Sequence, residues 1–116
     1  MKTIFVYGTL KLGFSAHDLM GDALYKGDIS TSSDYSLYNV GTFPGMLKEA
    51  GNGVQGQLFE VSDETLKVLD RYEAIDVGLF RKETITLNNG STALAYLFNR
   101  GLSEEAEKIE SGIWHG

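Results

Sequence analysis

Glu73 is the residue whose spacing best suits it to chemistry. It follows Leu66 by seven positions and Leu69 by four. Seven residues are about two helical turns, so a helix through this stretch aligns all three on one stripe. A carboxyl carried there enters the protein interior at a helix C-terminus. Burial and the negative end of the helix dipole both raise its pKa. A carboxyl titrating near neutrality can serve as both general base and general acid. The alternative is a helix that stops at Arg71 and leaves Glu73 an ordinary exposed acid. Asp70 lies near the same stripe and reads as a structural partner of a backbone group or an arginine. Asp70 and Glu73 are also spaced to act as the paired carboxylates of a hydrolase, but nothing else in the sequence supports a glycosidase groove.

The second chemical stretch is VYGTLKLG, Val6 to Gly13. An apolar run stops at a glycine, and a hydroxyl follows. A strand that ends this way exposes successive backbone N–H groups, and a concave run of amides is an anion site. Gly8 permits close approach of a ligand, Thr9 adds a hydroxyl, and Tyr7 walls a pocket. Lys11 reads as an exposed lysine. The competing reading of the loop is a plain β-turn.

Other chemistries are excluded by what is missing. The 116 residues contain no cysteine, so thiolate nucleophiles, thiolate metal sites and disulfides are out. The two histidines, His17 and His115, are almost the whole chain apart and make no metal-binding spacing. The net charge of −6, with no basic stripe, argues against nucleic acid or an anionic membrane as partner. No apolar run approaches the ~18 residues of a membrane span, and the N-terminal apolar run is too short for a signal peptide. The expectation is a soluble, cytoplasmic protein. Asn89-Gly90-Ser91 reads as a turn rather than a glycosylation site. Glu104, Glu105, Glu107 and Glu110 read as a solvated helix face.

The elements that must position these residues follow from periodicity and punctuation, and they amount to one domain over 1–116. Thr3–Tyr7 is a strand buried on both sides. Ser15 is a candidate N-cap for a short helix ending near Gly21. Ala23–Ile29, Tyr35–Val40 and Val54–Val61 read as strands, and Phe43-Pro44-Gly45 as a turn. Ser62 caps a helix running to about Tyr72. Thr84–Asn88 and Thr92–Phe98 flank Asn89-Gly90 as a hairpin. Ser103 opens a final helix with Ala106, Ile109 and Ile113 on one face. Strands dominate, so the class is α+β with a small, mixed, barrel-like sheet and few short helices.

Several segments together resemble the γ-glutamylcyclotransferase-like family, in particular its γ-glutamylamine cyclotransferase branch. They are VYGTLKLG (6–13), AHDLM (16–20), FPG (43–45), VQGQLFEV (54–61), LDRYE (69–73), FRKE (80–83), ALAYLF (93–98) and SGIW (111–114). Their order is the family's, and they span nearly the whole chain. The resemblance implies a small barrel-like α+β fold and an enzyme, without cofactor or metal, that releases 5-oxoproline from a small γ-glutamyl compound. It places the glutamyl head on Tyr7, Gly8, Thr9 and Leu10, and the catalytic acid/base on Glu73. The substrate's α-carboxylate is then the anion for the loop amides.

Three positions depart from the family pattern. Ala16 stands where Asn commonly precedes the histidine. Ala74 follows Glu73 where Gly is common. Phe80 precedes Arg81 where Tyr is usual, and the missing hydroxyl bears on pocket polarity and substrate choice. Tyr96 is a candidate pocket residue beside Glu73. His17 reads as structural, Arg81 as an ion-pair partner of Asp70 or Glu83, and Phe43-Pro44-Gly45 as pocket wall or simple turn. The main rival function is a non-catalytic binding module that keeps the pocket.

Overall fold

The computed structural model describes residues 1–116. Its first strand, β1 (Lys2–Val6), sets the layout. Ile4 and Val6 point into one apolar core, and Phe5 and the following Tyr7 into a second; all four are buried. A run with no polar face is what a strand covered on both sides requires. β1 lies at the centre of a five-stranded sheet. On one side it pairs antiparallel with β5 (Gln55–Val61), and beyond that lies β2 (Leu24–Ser30). On the other it pairs parallel with β7 (Thr92–Phe98), and beyond that lies β6 (Phe80–Thr86). A second sheet holds β4 (Pro44–Lys48), β3 (Tyr35–Asn39) and the two-residue β8 (Glu107–Lys108), in that order.

The one α-helix, α1 (Asp63–Tyr72), begins at the expected cap. The Thr65 amide donates to Ser62 Oγ at 3.1 Å. Leu66 and Leu69 of α1 cover Ile4, Val6, Phe59 and Val61 in the first core. The second core joins Phe5 and Tyr7 to Leu37 and Met46 of the second sheet and to Trp114 near the C-terminus. The α+β class holds. The five-stranded sheet curls strongly: at the ends of its two outer strands Thr31 and Leu87 form an isolated bridge, where the Asn88 amide donates to the Ser30 carbonyl and the Ser32 amide to that of Thr86, both at 3.0 Å. β2 and β6 share no ladder beyond this one bridge, so the sheet is barrel-like without closing into a barrel.

Four local expectations are corrected. No helix follows Ser103. The segment makes turns on either side of β8, β8 pairs with the edge of β3, and the Ile109 amide donates to the Leu37 carbonyl at 2.8 Å. An isolated helix of this length is marginal, whereas the free edge of β3 offers backbone partners; the glutamates stay exposed, as expected. Pro44 opens a strand rather than sitting mid-turn, at the first position where a missing N–H is tolerated. β6 starts at Phe80, four residues before Thr84, because its pairing with β7 continues through Phe80 opposite Phe98. The short helix expected from Ser15 is a 3-10 turn at His17–Met20 preceded by Ala16, with no side-chain cap.

Candidate active site

The site forms where β1 ends beside the end of α1. Glu73 caps α1, and its amide still donates to the Leu69 carbonyl at 2.9 Å, so it stays in line with the buried stripe. The chain then turns sharply at Ala74, whose φ of 53° and ψ of 47° are left-handed. It is the only non-glycine residue with positive φ. This is the position where the family pattern favours glycine, and an L-side chain is held there at a cost of about 1–2 kcal/mol. Burial pushes the Glu73 carboxyl up from its ordinary value to about 7. The helix runs on to Tyr72 and leaves Glu73 half-buried, so it is not the exposed acid of a helix that stops at Arg71.

Glu73 lines a cleft of about 210 Å³ together with Tyr7, Gly8, Thr9, Leu10, Phe80 and Tyr96. All seven residues that the sequence nominated meet there. Phe43, Pro44, Tyr72 and Leu79 complete much of the wall, so Phe43 and Pro44 serve as lining. No Lys, Arg or His takes part. Tyr72 was not nominated. Thr9 Oγ1 and the Tyr72 hydroxyl lie 2.8 Å apart, tying the loop to the last residue of α1. Tyr72 also precedes Glu73, so this bond sets the loop against the acid. The LDRYE stretch carried that signal, but nothing in it showed what the phenol would meet.

The loop after β1 has its carbonyls occupied and its amides free. Gly8 O accepts from the Lys11 amide at 3.1 Å, Thr9 O from the Ala16 amide at 3.0 Å, and Leu10 O contacts His17 Nδ1 at 2.8 Å. The amides of Gly8, Thr9 and Leu10 have no acceptor within the chain. Successive unpaired N–H groups are what a backbone anion nest is made from. Gly8 also has a packing reason: a Cβ there would lie 2.8 Å from Pro44 Cγ. Its smallness admits Pro44 at least as much as it admits a ligand.

The remaining side chains have defined partners. The Tyr7 hydroxyl donates to the Tyr96 carbonyl at 2.6 Å and accepts from the Met46 amide at 3.1 Å, so Tyr7 contributes its ring to the wall. Burial, with the nearby Glu73 charge, keeps that phenol protonated. Phe80 packs edge-on against Phe98 and at 5.8 Å from Phe43, in an aromatic cluster under the cleft. Asp70 pairs not with an arginine but with Lys82 at 2.8 Å, and it accepts from the Tyr96 hydroxyl at 2.7 Å. Arg81 pairs with Glu83. His17 is structural, its ring 5.6 Å from that of Phe59. Lys11 is buried rather than exposed. Its Nζ donates to the Trp114 carbonyl at 2.8 Å and lies 4.5 Å from the Phe14 ring centroid, and burial lowers its pKa.

The cleft thus brings together a carboxyl whose pKa burial raises to about 7 and a loop with three unpaired amides, in largely apolar surroundings. The chain belongs to the gamma-glutamyl cyclotransferase, AIG2-like family, whose sequence pattern matches residues 4–116. It is 34% identical over 111 residues to a Vibrio cholerae protein named provisionally as a gamma-glutamylcyclotransferase, covering 96% of this chain and 93% of that one. It is 35% identical over 83 residues to the gamma-glutamylaminecyclotransferase of Bos taurus, covering 64% of this chain and 49% of that one. This chain thus spans about half the length of that mammalian relative. Among solved structures, an AIG2-like protein from Mus musculus superposes with a TM-score of 0.81 at 26% identity, over 95% of this chain and 86% of the other. No helix of this chain is long and apolar enough to cross a membrane.

Proposed function

We propose that this protein is a γ-glutamyl cyclotransferase that needs no cofactor and releases 5-oxoproline and a free amine from a small γ-glutamyl compound. The observation that carries the reading is the half-buried Glu73 carboxyl, its pKa raised by burial to about 7, in the same cleft as the loop whose Gly8, Thr9 and Leu10 amides are unpaired.

The chemistry is an intramolecular acyl transfer, so the nucleophile belongs to the substrate. The loop amides hold the α-carboxylate, which sets the α-amine against the γ-carbonyl. Positioning of this kind supplies roughly 7–11 kcal/mol of barrier reduction. Glu73, ionised, takes a proton from the α-ammonium. The freed amine attacks the γ-carbonyl, and a C–N bond forms as the carbonyl electrons move to oxygen. Glu73 returns its proton to the departing nitrogen, the old C–N bond breaks, and the carbonyl re-forms within a five-membered lactam. As that bond breaks, the attacking nitrogen gives up its second proton, which reaches the released amine through the same carboxyl. Glu73 ends as it began.

The rival reading is a binding module that holds the glutamyl head without turnover. The test is to incubate the protein with a panel of γ-glutamylamines and γ-glutamyl amino acids and to assay 5-oxoproline. Release from any of them, proportional to enzyme, is expected. Tight binding with no release from every compound would favour the binding module.

A further inference from the structure

We infer that Asp70 is a positioning residue that turns the Tyr96 hydroxyl into a hydrogen-bond acceptor on the cleft side, where it holds an N–H of the substrate's α-amine. The inference rests on the cyclotransferase reading, and it gives a task to an acid that the chemistry above does not use. A phenol has one proton to donate. In Tyr96 that proton goes to Asp70 Oδ1 at 2.7 Å. Asp70 is fixed in turn by Lys82, whose Nζ lies 2.8 Å from Oδ2 and 3.1 Å from Oδ1. A carboxylate only accepts, and an ammonium only donates, so the direction of the chain Lys82 to Asp70 from one side and Tyr96 to Asp70 from the other is set. What Tyr96 can still offer is its oxygen lone pairs.

Tyr96 lines the cleft with Glu73. An acceptor there suits an amine and not a carbonyl oxygen. Once Glu73 has taken a proton from the ammonium, two N–H groups remain. Holding one of them on Tyr96 Oη leaves the nitrogen lone pair free to face the γ-carbonyl. If the phenol proton were free instead, the Glu73 charge that already bears on Tyr96 would draw it, and a hydrogen bond to the charged form lowers a carboxyl's pKa. Asp70 therefore also keeps Tyr96 from weakening Glu73 as a base. The titratable side chains around Glu73 are Tyr7 just after β1, Tyr72 from α1 and Tyr96 from β7, with the Asp70–Lys82 pair behind the last.

The test combines Asp70→Ala, Asp70→Asn, Tyr96→Phe and the double variant Tyr96→Phe/Asp70→Ala. The Glu73 titration is followed by carbon NMR of labelled glutamate, and 5-oxoproline release is followed against pH. Asp70→Ala should lower the Glu73 pKa below that of the parent and reduce kcat about 10- to 100-fold, with KM little changed. Asp70→Asn should keep most of the activity, because its amide oxygen still accepts the phenol proton. In the Tyr96→Phe background, Asp70→Ala should have no further effect on the titration or on kcat. An Asp70→Ala variant with parental kcat and an unmoved Glu73 titration would overturn the inference. So would an equal shift in the presence and absence of the Tyr96 hydroxyl. A parent that releases no 5-oxoproline contradicts the cyclotransferase reading instead, while the titration still decides which way the Tyr96 hydroxyl points.

Discussion

Glu73 is harder to ionise in the folded protein than in the unfolded chain, and this links function to stability. Below its ordinary value of 4.5 both states hold the proton, and the carboxyl takes nothing from stability. As pH rises, the unfolded chain ionises first, and the folded state loses ground until Glu73 itself ionises at about 7. Above that pH the loss is complete, at about 3 kcal/mol. Glu73→Gln removes the ionisation. The variant should be more stable than the parent at pH 8, by up to about 3 kcal/mol, and nearly equal to it at pH 4. Denaturant unfolding of both proteins at the two pH values checks this, and a difference that does not change with pH would contradict the burial of the charge. The residue was legible in the sequence because Leu66, Leu69 and Glu73 share a stripe. What Asp70, Tyr72 and Lys11 would touch was not, because each partner lies across a contact between elements distant in sequence.

At the scale of elements, the site is a loop after β1 facing the exit of α1. The exit turns on Ala74, held left-handed. Ala74→Gly relieves that conformation but loosens the unfolded chain, and the two effects leave a net gain of about 0.5–1 kcal/mol. A melting temperature that falls would mean that the methyl group is held by contacts outweighing the backbone strain. The loop turns on Gly8, packed against Pro44. Gly8→Ala should push Pro44 away, lowering stability and substrate affinity together, since Pro44 lines the cleft. Calorimetric affinity equal to the parent's in a folded variant would separate the loop from the site. Most elements could be read from the sequence because apolar runs, Ser62 and Asn89-Gly90 are local signals. The region after Ser103 could not. Its Ala106, Ile109 and Ile113 have helical spacing, but its conformation is decided by the unpaired edge of β3, which a local pattern does not contain.

For the molecule as a whole, the cleft wall bears on which amine leaves. Glu73 is the one charged side chain in it, and no cation lines it. A leaving group with its own carboxylate would lie near Glu73 with no partner, whereas an uncharged apolar leaving group would meet Phe43, Leu79 and Phe80. γ-Glutamylphenethylamine and γ-glutamylphenylalanine differ by that one carboxylate. The amine compound should have the higher kcat/KM, by at least about 10-fold, the effect of roughly 1.4 kcal/mol. Equal values would place the leaving group outside the cleft. The measurement that bears most directly on the proposed chemistry is 5-oxoproline release by Glu73→Gln, with substrate affinity determined alongside. Glutamine keeps the shape and the hydrogen-bonding reach of glutamate and loses the ability to carry a proton. The variant should bind the substrate through the Gly8–Leu10 amides with affinity close to the parent's. Its turnover should fall by at least about 10²-fold, and the parent's rise in rate through pH 7 should disappear. Release at the parental rate would show that Glu73 is not the acid/base.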